Sequence, residues 1–122
     1  MSDRLYSVEE ANALLAYLAP TLVELREKFE EAGRIRMKMA TASRSNGWSD
    51  ARDDWAQKLA RVNELVDRVN DWAIELRDIT TGLVDFPGMV DGEEVWLCWR
   101  LGEPEVAYWH PKTEGIAGRR PL

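Results

Sequence analysis

The fold is decided by residues 91–110, which read DGEEVWLCWRLGEPEVAYWH. Apolar and polar side chains alternate here, so that Val95, Leu97 and Trp99 point to one face of an extended chain. Alternation with a period of two predicts two β-strands, and the Gly- and Pro-containing segment between them predicts a turn. The stretch therefore predicts a β-hairpin, which a third strand at residues 83–86 extends into a small antiparallel sheet.

Upstream of the sheet the apolar residues recur at alternating spacings of three and four, a period of about 3.5 residues that is typical of packed helices. Ser7 to Glu10 has the spacing of a capping box and opens a helix predicted over residues 8–43. Because proline removes a helical hydrogen bond, we expect a kink near Pro20. A second helix is predicted over residues 50–79, with Ser49 as its cap.

The small polar segment 41–48 predicts a tight connection between the two helices. The predicted fold class is therefore α+β: a long antiparallel helical hairpin, coiled-coil-like, with a two- to three-stranded antiparallel β-sheet over 83–110 packed on its base. Residues 111–122 are rich in glycine, proline and arginine, and they predict an irregular tail that lies across the outer face of the sheet. We expect residues 1–122 to form a single domain.

Composition narrows the classes of partner. The chain has 122 residues and a formal net charge of −6, which repels phosphate backbones and anionic lipid, so we expect neither nucleic acid nor a membrane as partner. Its single cysteine cannot form an internal disulfide, and the N-terminus has no basic start followed by an apolar run. These features favour a cytoplasmic location.

Five strings of the sequence resemble a bacterial family catalogued as domain of unknown function 2203. They are YSVEEANALL at 6–15, GLVDFP at 82–87, VWLCWRLGE at 95–103, WH at 109–110 and AGRRPL at 117–122. The resemblance covers both ends of the chain and skips the middle. It implies a small bacterial protein without an established activity.

The only histidine, His110, is the centre of one candidate site. If the tail folds back over the base of the helices, the carboxylates of Glu10, Asp85 and Glu114 converge on it. A histidine with carboxylates can bind a divalent metal or serve in acid–base chemistry. The alternative is a strand-end histidine that bonds a carboxylate or carbonyl and fixes the tail.

A second candidate site is a ligand-binding surface made of Trp96, Arg100, Trp109 and Arg119. Crowded aromatic rings can form a platform for a ligand or partner, and the arginines can form an anion pocket with the sheet. The alternatives are cross-strand packing of the rings and salt bridges that pin the tail.

Cys98 lies in the middle of the predicted hairpin, between two tryptophans. A cysteine nucleophile needs a base and some exposure, and His110 in the neighbouring strand is the candidate base. Whether the two side chains share a face depends on the strand register, which the sequence leaves open. The alternative is a buried cysteine that packs as a small apolar residue.

Two classes of function follow. The first is a non-enzymatic, homodimeric protein-interaction module, in which another protein is bound by the aromatic sheet or by the basic tip of the helical hairpin, with Arg34, Arg36, Lys38 and Arg44. The second is a small-ligand or divalent-metal-binding protein with its site around His110.

Overall fold

The computed structural model describes residues 4–41 and 47–122, and within them two helices are followed by a five-stranded antiparallel sheet. The elements are α1 (Val8–Thr41), α2 (Trp48–Asp71), β1 (Glu75–Asp78), β2 (Leu83–Val90), β3 (Glu93–Arg100), β4 (Tyr108–Pro111), a 3-10 helix (Ile116–Gly118) and β5 (Arg120–Pro121). The α+β class is confirmed. The expected number of strands is wrong, because segments on both sides of the predicted sheet also pair with it.

Helix α1 begins with the predicted capping box. The backbone N–H of Ser7 donates to the Glu10 carboxylate at 2.8 Å, and the backbone N–H of Glu10 donates to Ser7 Oγ at 3.0 Å. Both bonds occupy amides that have no acceptor inside the helix. The helix is continuous through Pro20, so the kink stays a prediction. Its predicted end at residue 43 and the centre of the predicted turn lie outside the described residues.

Helix α2 begins one residue earlier than its predicted cap. Gly47 precedes it with φ 70°, and no side chain caps this end, so the prediction that Ser49 is the cap is wrong. Ser49 lies in the first turn instead.

The C-terminus of α2 is the main correction to the predicted fold, because the helix ends at Asp71 and not at residue 79. Ala73 takes the left-handed conformation, with φ 61°. The N–H of Ala73 donates to the Asn70 carbonyl, and the N–H of Ile74 donates to the Val69 carbonyl. This is the Schellman arrangement, which usually has glycine at the left-handed position. Ile74 and Val69 are both buried in the core, and their burial stabilises the stop.

The two helices pack against each other through their apolar faces. Their buried faces include Leu18, Leu22, Leu25, Leu65 and Val69. Burying such a side chain contributes about 1.5 to 3 kcal/mol. At the rim of this interface the Arg61 guanidinium donates twice to the Glu24 carboxylate, at 2.7 and 2.8 Å. Neither described helix is long and apolar enough to cross a membrane.

The sheet follows chain order, β1-β2-β3-β4-β5, with every neighbouring pair antiparallel. Strands β2 and β3 form its centre and are joined by a two-residue turn at Asp91 and Gly92, with φ values of 51° and 81°. Two residues with positive φ give a turn whose twist matches that of the strands. The N-terminal segment adds a bridge, in which the N–H of Tyr6 donates to the Pro87 carbonyl at 2.7 Å.

The two faces of the sheet have different roles. The predicted alternation in β3 is confirmed on the helical face, where Val95, Leu97 and Trp99 join the core beside α1 and α2. The outer face carries Asp85, Cys98 and His110, all of them buried. The residues that follow β4 cover part of this outer face and help to bury the three side chains.

The tail is more ordered than predicted, because residues 111–122 contain a 3-10 helix and the two-residue strand β5. Strand β5 pairs with β4, and the N–H of Leu122 donates to the Ala107 carbonyl at 2.9 Å. Arg119 pairs with Glu103 at 2.6 Å and Arg120 pairs with Glu114 at 3.2 Å. These bonds pin the tail, which was one of the two predicted roles of the arginines.

Candidate functional site

Three side chains with different donor atoms converge on the outer face of the sheet. Asp85 lies directly opposite Cys98 in the β2–β3 ladder, and His110 lies opposite Trp96 in the β3–β4 ladder. Because Trp96 and Cys98 are two residues apart, all three functional groups share one face. A carboxylate oxygen, the thiol sulfur and an imidazole nitrogen all lie within 4.8 Å of one another.

The hydrogen bonds of His110 assign its ring nitrogens. Nδ1 lies 3.0 Å from the Pro111 carbonyl oxygen, which can only accept, so Nδ1 carries the proton of that bond. Nε2 lies 3.0 and 3.1 Å from the two oxygens of the Asp85 carboxylate. In the neutral ring Nε2 presents a lone pair to these oxygens, so a proton or a cation has to be shared between them. A backbone carbonyl on the far nitrogen is also the usual orientation of a metal-binding histidine.

Arg77 on β1 is the other charged partner of Asp85. Its Nε donates to Oδ2 at 2.9 Å, and its side chain is 41% exposed while that of Asp85 is 3% exposed. Arg77 therefore links a buried carboxylate to the surface.

Cys98 is a poor nucleophile in this environment. Burial and the neighbouring Asp85 carboxylate raise the pKa of the Cys98 thiol to about 11, although Arg119 acts in the opposite direction. Both nitrogens of His110 bond to other groups, so the thiol has no base there. The hypothesis of a Cys98–His110 nucleophile pair lacks both of its physical requirements.

Arg119 provides a further polar group beside Cys98. Its Nη2 donates to the Cys98 carbonyl at 3.4 Å and to Glu103 at 2.6 Å. Its Nε is buried and has no hydrogen-bond acceptor among the described residues. A buried donor without an acceptor costs about 1 to 3 kcal/mol, and a thiolate at Cys98 would supply negative charge beside it.

The three donor types are ones that a tetrahedral metal ion takes. Zinc binds thiolate, imidazole and carboxylate at about 2.0 to 2.3 Å, which sets neighbouring donor atoms roughly 3.3 to 3.7 Å apart. The separation of 3.0 Å between His110 Nε2 and Asp85 Oδ1 is a few tenths of an ångström shorter. A soft thiolate in the set favours zinc over magnesium or calcium, which take oxygen donors.

The three donors line one cavity of about 430 Å³. Trp96 and Arg77 line it from the sheet, and Lys112 and Glu114 line it from the segment after β4. Two cations contact the Trp96 ring, with Lys112 Nζ at 4.4 Å and the Arg77 guanidinium carbon at 5.0 Å from its centroid. A small molecule in this cavity would reach the metal-binding groups and both cations.

The four predicted metal ligands do not all meet. Asp85 and His110 are in direct contact, and Glu114 lines the same cavity but pairs with Arg120. Glu10 does not join them, because its carboxylate is held in the capping box of α1, which packs against the opposite face of the sheet.

The four predicted ligand-binding residues also separate. Trp96 lines the cavity. Trp109 packs against the helical core, since it lies opposite Leu97 in the ladder. Arg119 is occupied by Glu103, and Arg100 is exposed and does not line the cavity.

Sequence reasoning missed Arg77 and Lys112, and it considered Cys98 as a nucleophile but not as a metal ligand. The alternation of β3 carried a signal for Cys98, since it sets this residue on the face opposite to the core. Arg77 was assigned to the second helix, so its contact with Asp85 across neighbouring strands could not be predicted. Lys112 had no signal beyond its closeness to His110.

Comparison with known proteins gives one match. No curated protein and no solved structure matches the chain. A family model described as "Uncharacterized conserved protein (DUF2203)" matches residues 4–122. The chain therefore belongs to this uncharacterised conserved family, as its strings at residues 6–15 and 95–103 indicated.

Proposed function

We propose that this protein binds a divalent transition metal ion through Asp85, Cys98 and His110, and that Zn²⁺ is the ion that matches the donor set best. The observation that carries the proposal is the approach of three buried donor atoms of different chemistry to within 4.8 Å of one another. Asp85 and His110 already contact each other, and a metal ion would bind both of them together with Cys98.

Two features around the ligands support the proposal. The Pro111 carbonyl holds the His110 ring with Nε2 toward Asp85, so that Nε2 and the carboxylate could bind the same ion in place of a shared proton. Arg119 donates from Nη2 to the Cys98 carbonyl, and its buried Nε has no acceptor among the described residues, so it lies where it would stabilise a metal-bound thiolate. Three protein ligands beside a cavity leave a coordination position for a small molecule, as in zinc sites that act on substrates.

Metal titration tests the proposal. Protein stripped with EDTA is titrated with Zn²⁺, and bound metal is measured by elemental analysis after dialysis. We expect one Zn²⁺ per chain in the wild type. Cys98→Ser and Asp85→Asn each remove a ligand with little change of volume, and each should weaken binding at least about tenfold. His110→Ala removes the third ligand and should weaken Zn²⁺ binding as well.

The matched control for these variants is Glu93→Gln, which alters an exposed carboxylate on the same strand as Cys98. It should bind Zn²⁺ like the wild type. Circular dichroism checks that each variant is folded. Wild-type protein that retains no Zn²⁺, or equal binding by the ligand variants and the control, would refute the proposal.

Self-association through the far end of the helical hairpin is the second candidate, which corresponds to a non-enzymatic homodimeric interaction module. It is supported by two large apolar side chains exposed on the second half of α1, Phe29 at 44% and Met37 at 74%. Sedimentation equilibrium tests it: Met37→Glu should weaken the dimer, while Met89→Glu, which changes an exposed methionine on the sheet, should not. A wild-type chain that sediments as a monomer at all concentrations would exclude this candidate.

A further inference from the structure

The mouth of the cavity carries positive charge in an otherwise acidic chain. Arg77 and Lys112 both line the cavity, with side chains 41% and 39% exposed. The formal net charge of the whole protein is −6, so the sign of the charge at this cavity is opposite to that of the whole chain. Both cations lie within about 5 Å of the centroid of the Trp96 ring, which attracts each of them and offsets part of their mutual repulsion.

The acidic groups near this mouth do not cancel the two cations. Glu114 lines the cavity but pairs with Arg120, and Glu94 is 3.7 Å from Lys112 with a side chain that is 59% exposed. A pair as exposed as that is weak. Arg77 donates only its Nε to Asp85 among the described residues, which leaves its terminal N–H groups for another acceptor.

Metal binding would leave the positive character of the cavity in place. The Asp85 carboxylate and a Cys98 thiolate balance the charge of a divalent ion, while His110 is neutral as a ligand. The carboxylate that now offsets Arg77 would then be shared with the ion. The cations of Arg77 and Lys112 would remain as the net charge around the open coordination position.

We infer that the metal-loaded cavity binds a small molecule through an oxyanion group, a carboxylate or a phosphate, with one oxygen on the metal and the others on Arg77 and Lys112. The inference rests on the proposed metal site and adds the chemical class of its ligand. Planar guanidinium groups bind carboxylate and phosphate oxygens through paired N–H donors, and an ammonium group binds them as a point charge.

Cobalt-loaded protein provides the test, because Co²⁺ occupies zinc sites and its visible absorption reports changes of its ligands. Inorganic phosphate is added in one arm and acetate in the other. We expect a saturable spectral change in at least one arm, and the arm that responds tells whether the cavity prefers phosphate or carboxylate. Lys112→Gln should raise the dissociation constant of that anion about fivefold.

The matched control is Lys38→Gln, which removes the same charge from an exposed position at the end of α1. It should leave the dissociation constant within about twofold of wild type. Bound Co²⁺ with no response to either anion would overturn this inference alone, as would equal effects of the two lysine variants. Failure of the wild type to bind Co²⁺ would overturn the inference together with the metal site on which it rests.

Discussion

Nε2 of His110 lies 3.0 Å from Oδ1 of Asp85, and the two side chains are only 2% and 3% exposed. A buried carboxylate keeps its charge only while its partners are in place, because water cannot replace them. The contact therefore governs the stability of the metal-free protein as well as its chemistry.

We expect His110→Ala to lower the free energy of unfolding of the metal-free protein by about 3 to 5 kcal/mol, since it leaves the buried Asp85 carboxylate without its buried partner. Arg77→Gln should cost less than about 1 kcal/mol, because Arg77 is 41% exposed and water can replace it. Urea unfolding in EDTA measures both. Equal losses in the two variants would contradict this account, because the exposed arginine would then stabilise Asp85 as much as the buried histidine does.

Gly88 allows the N-terminal segment to approach the sheet. A β-carbon at this position would lie 2.7 Å from Leu97 Cγ and 3.1 Å from the Tyr6 carbonyl oxygen. Gly88→Ala should therefore destabilise the protein by about 1 to 3 kcal/mol. The control is Gly33→Ala on α1, where no atom lies within 4 Å and alanine should stabilise the helix by about 0.5 to 1 kcal/mol. Thermal unfolding that moved both variants in the same direction would contradict this account.

Asn12 ties the connection between β3 and β4 to the first helix. Its side-chain oxygen accepts the backbone N–H of the buried Val106 at 2.6 Å. Asn12→Leu leaves that N–H without an acceptor and should cost about 1 to 3 kcal/mol in urea unfolding. Asn12→Asp keeps an oxygen at the same place and should cost less. A larger loss for the aspartate would mean that this bond is not what Asn12 contributes.

The helical part of the fold was predictable because its signals are local. The capping box at Ser7 and the apolar period of α1 were read correctly, since both depend on residues within one or two turns. The end of α2 was not, because the apolar period continues through Ala73 and Leu76 although the chain has left the helix. The stop depends on a left-handed alanine, which costs energy that glycine would not, and on the burial of Ile74 in the tertiary core.

The site was only partly predictable because it depends on register. The sequence indicates that Asp85 and His110 lie on neighbouring parts of a sheet, but a slip of one residue would turn either side chain to the other face. Cys98 could be placed beside Asp85 and His110 only once the register was known, because the register sets Cys98 directly opposite Asp85. The prediction that Glu10 is a metal ligand was wrong for a local reason. Its carboxylate already accepts the backbone N–H of Ser7 in the capping box that identified the start of the helix.

The link between Glu24 and Arg61 predicts how the stability of the helical hairpin depends on pH. The hydrogen-bonded Arg61 guanidinium lowers the pKa of the Glu24 carboxyl below its ordinary value of 4.5. The unfolded chain therefore takes up this proton at a higher pH than the folded one. The stabilisation by Glu24 is present above about pH 4.5 and is lost as the pH falls through the folded pKa.

Urea unfolding at pH 6, 4.5 and 3 checks this expectation. Glu24→Gln has no carboxyl to protonate, so the stability difference between wild type and variant should be largest at pH 6 and should shrink toward pH 3. Glu30→Gln, which changes an exposed carboxylate on the same helix, is the control, and its difference from wild type should change less with pH. A Glu24→Gln difference that stayed constant across the three pH values would mean that the two helices are not joined by a charge-dependent bond, and that their packed apolar faces alone hold the hairpin together.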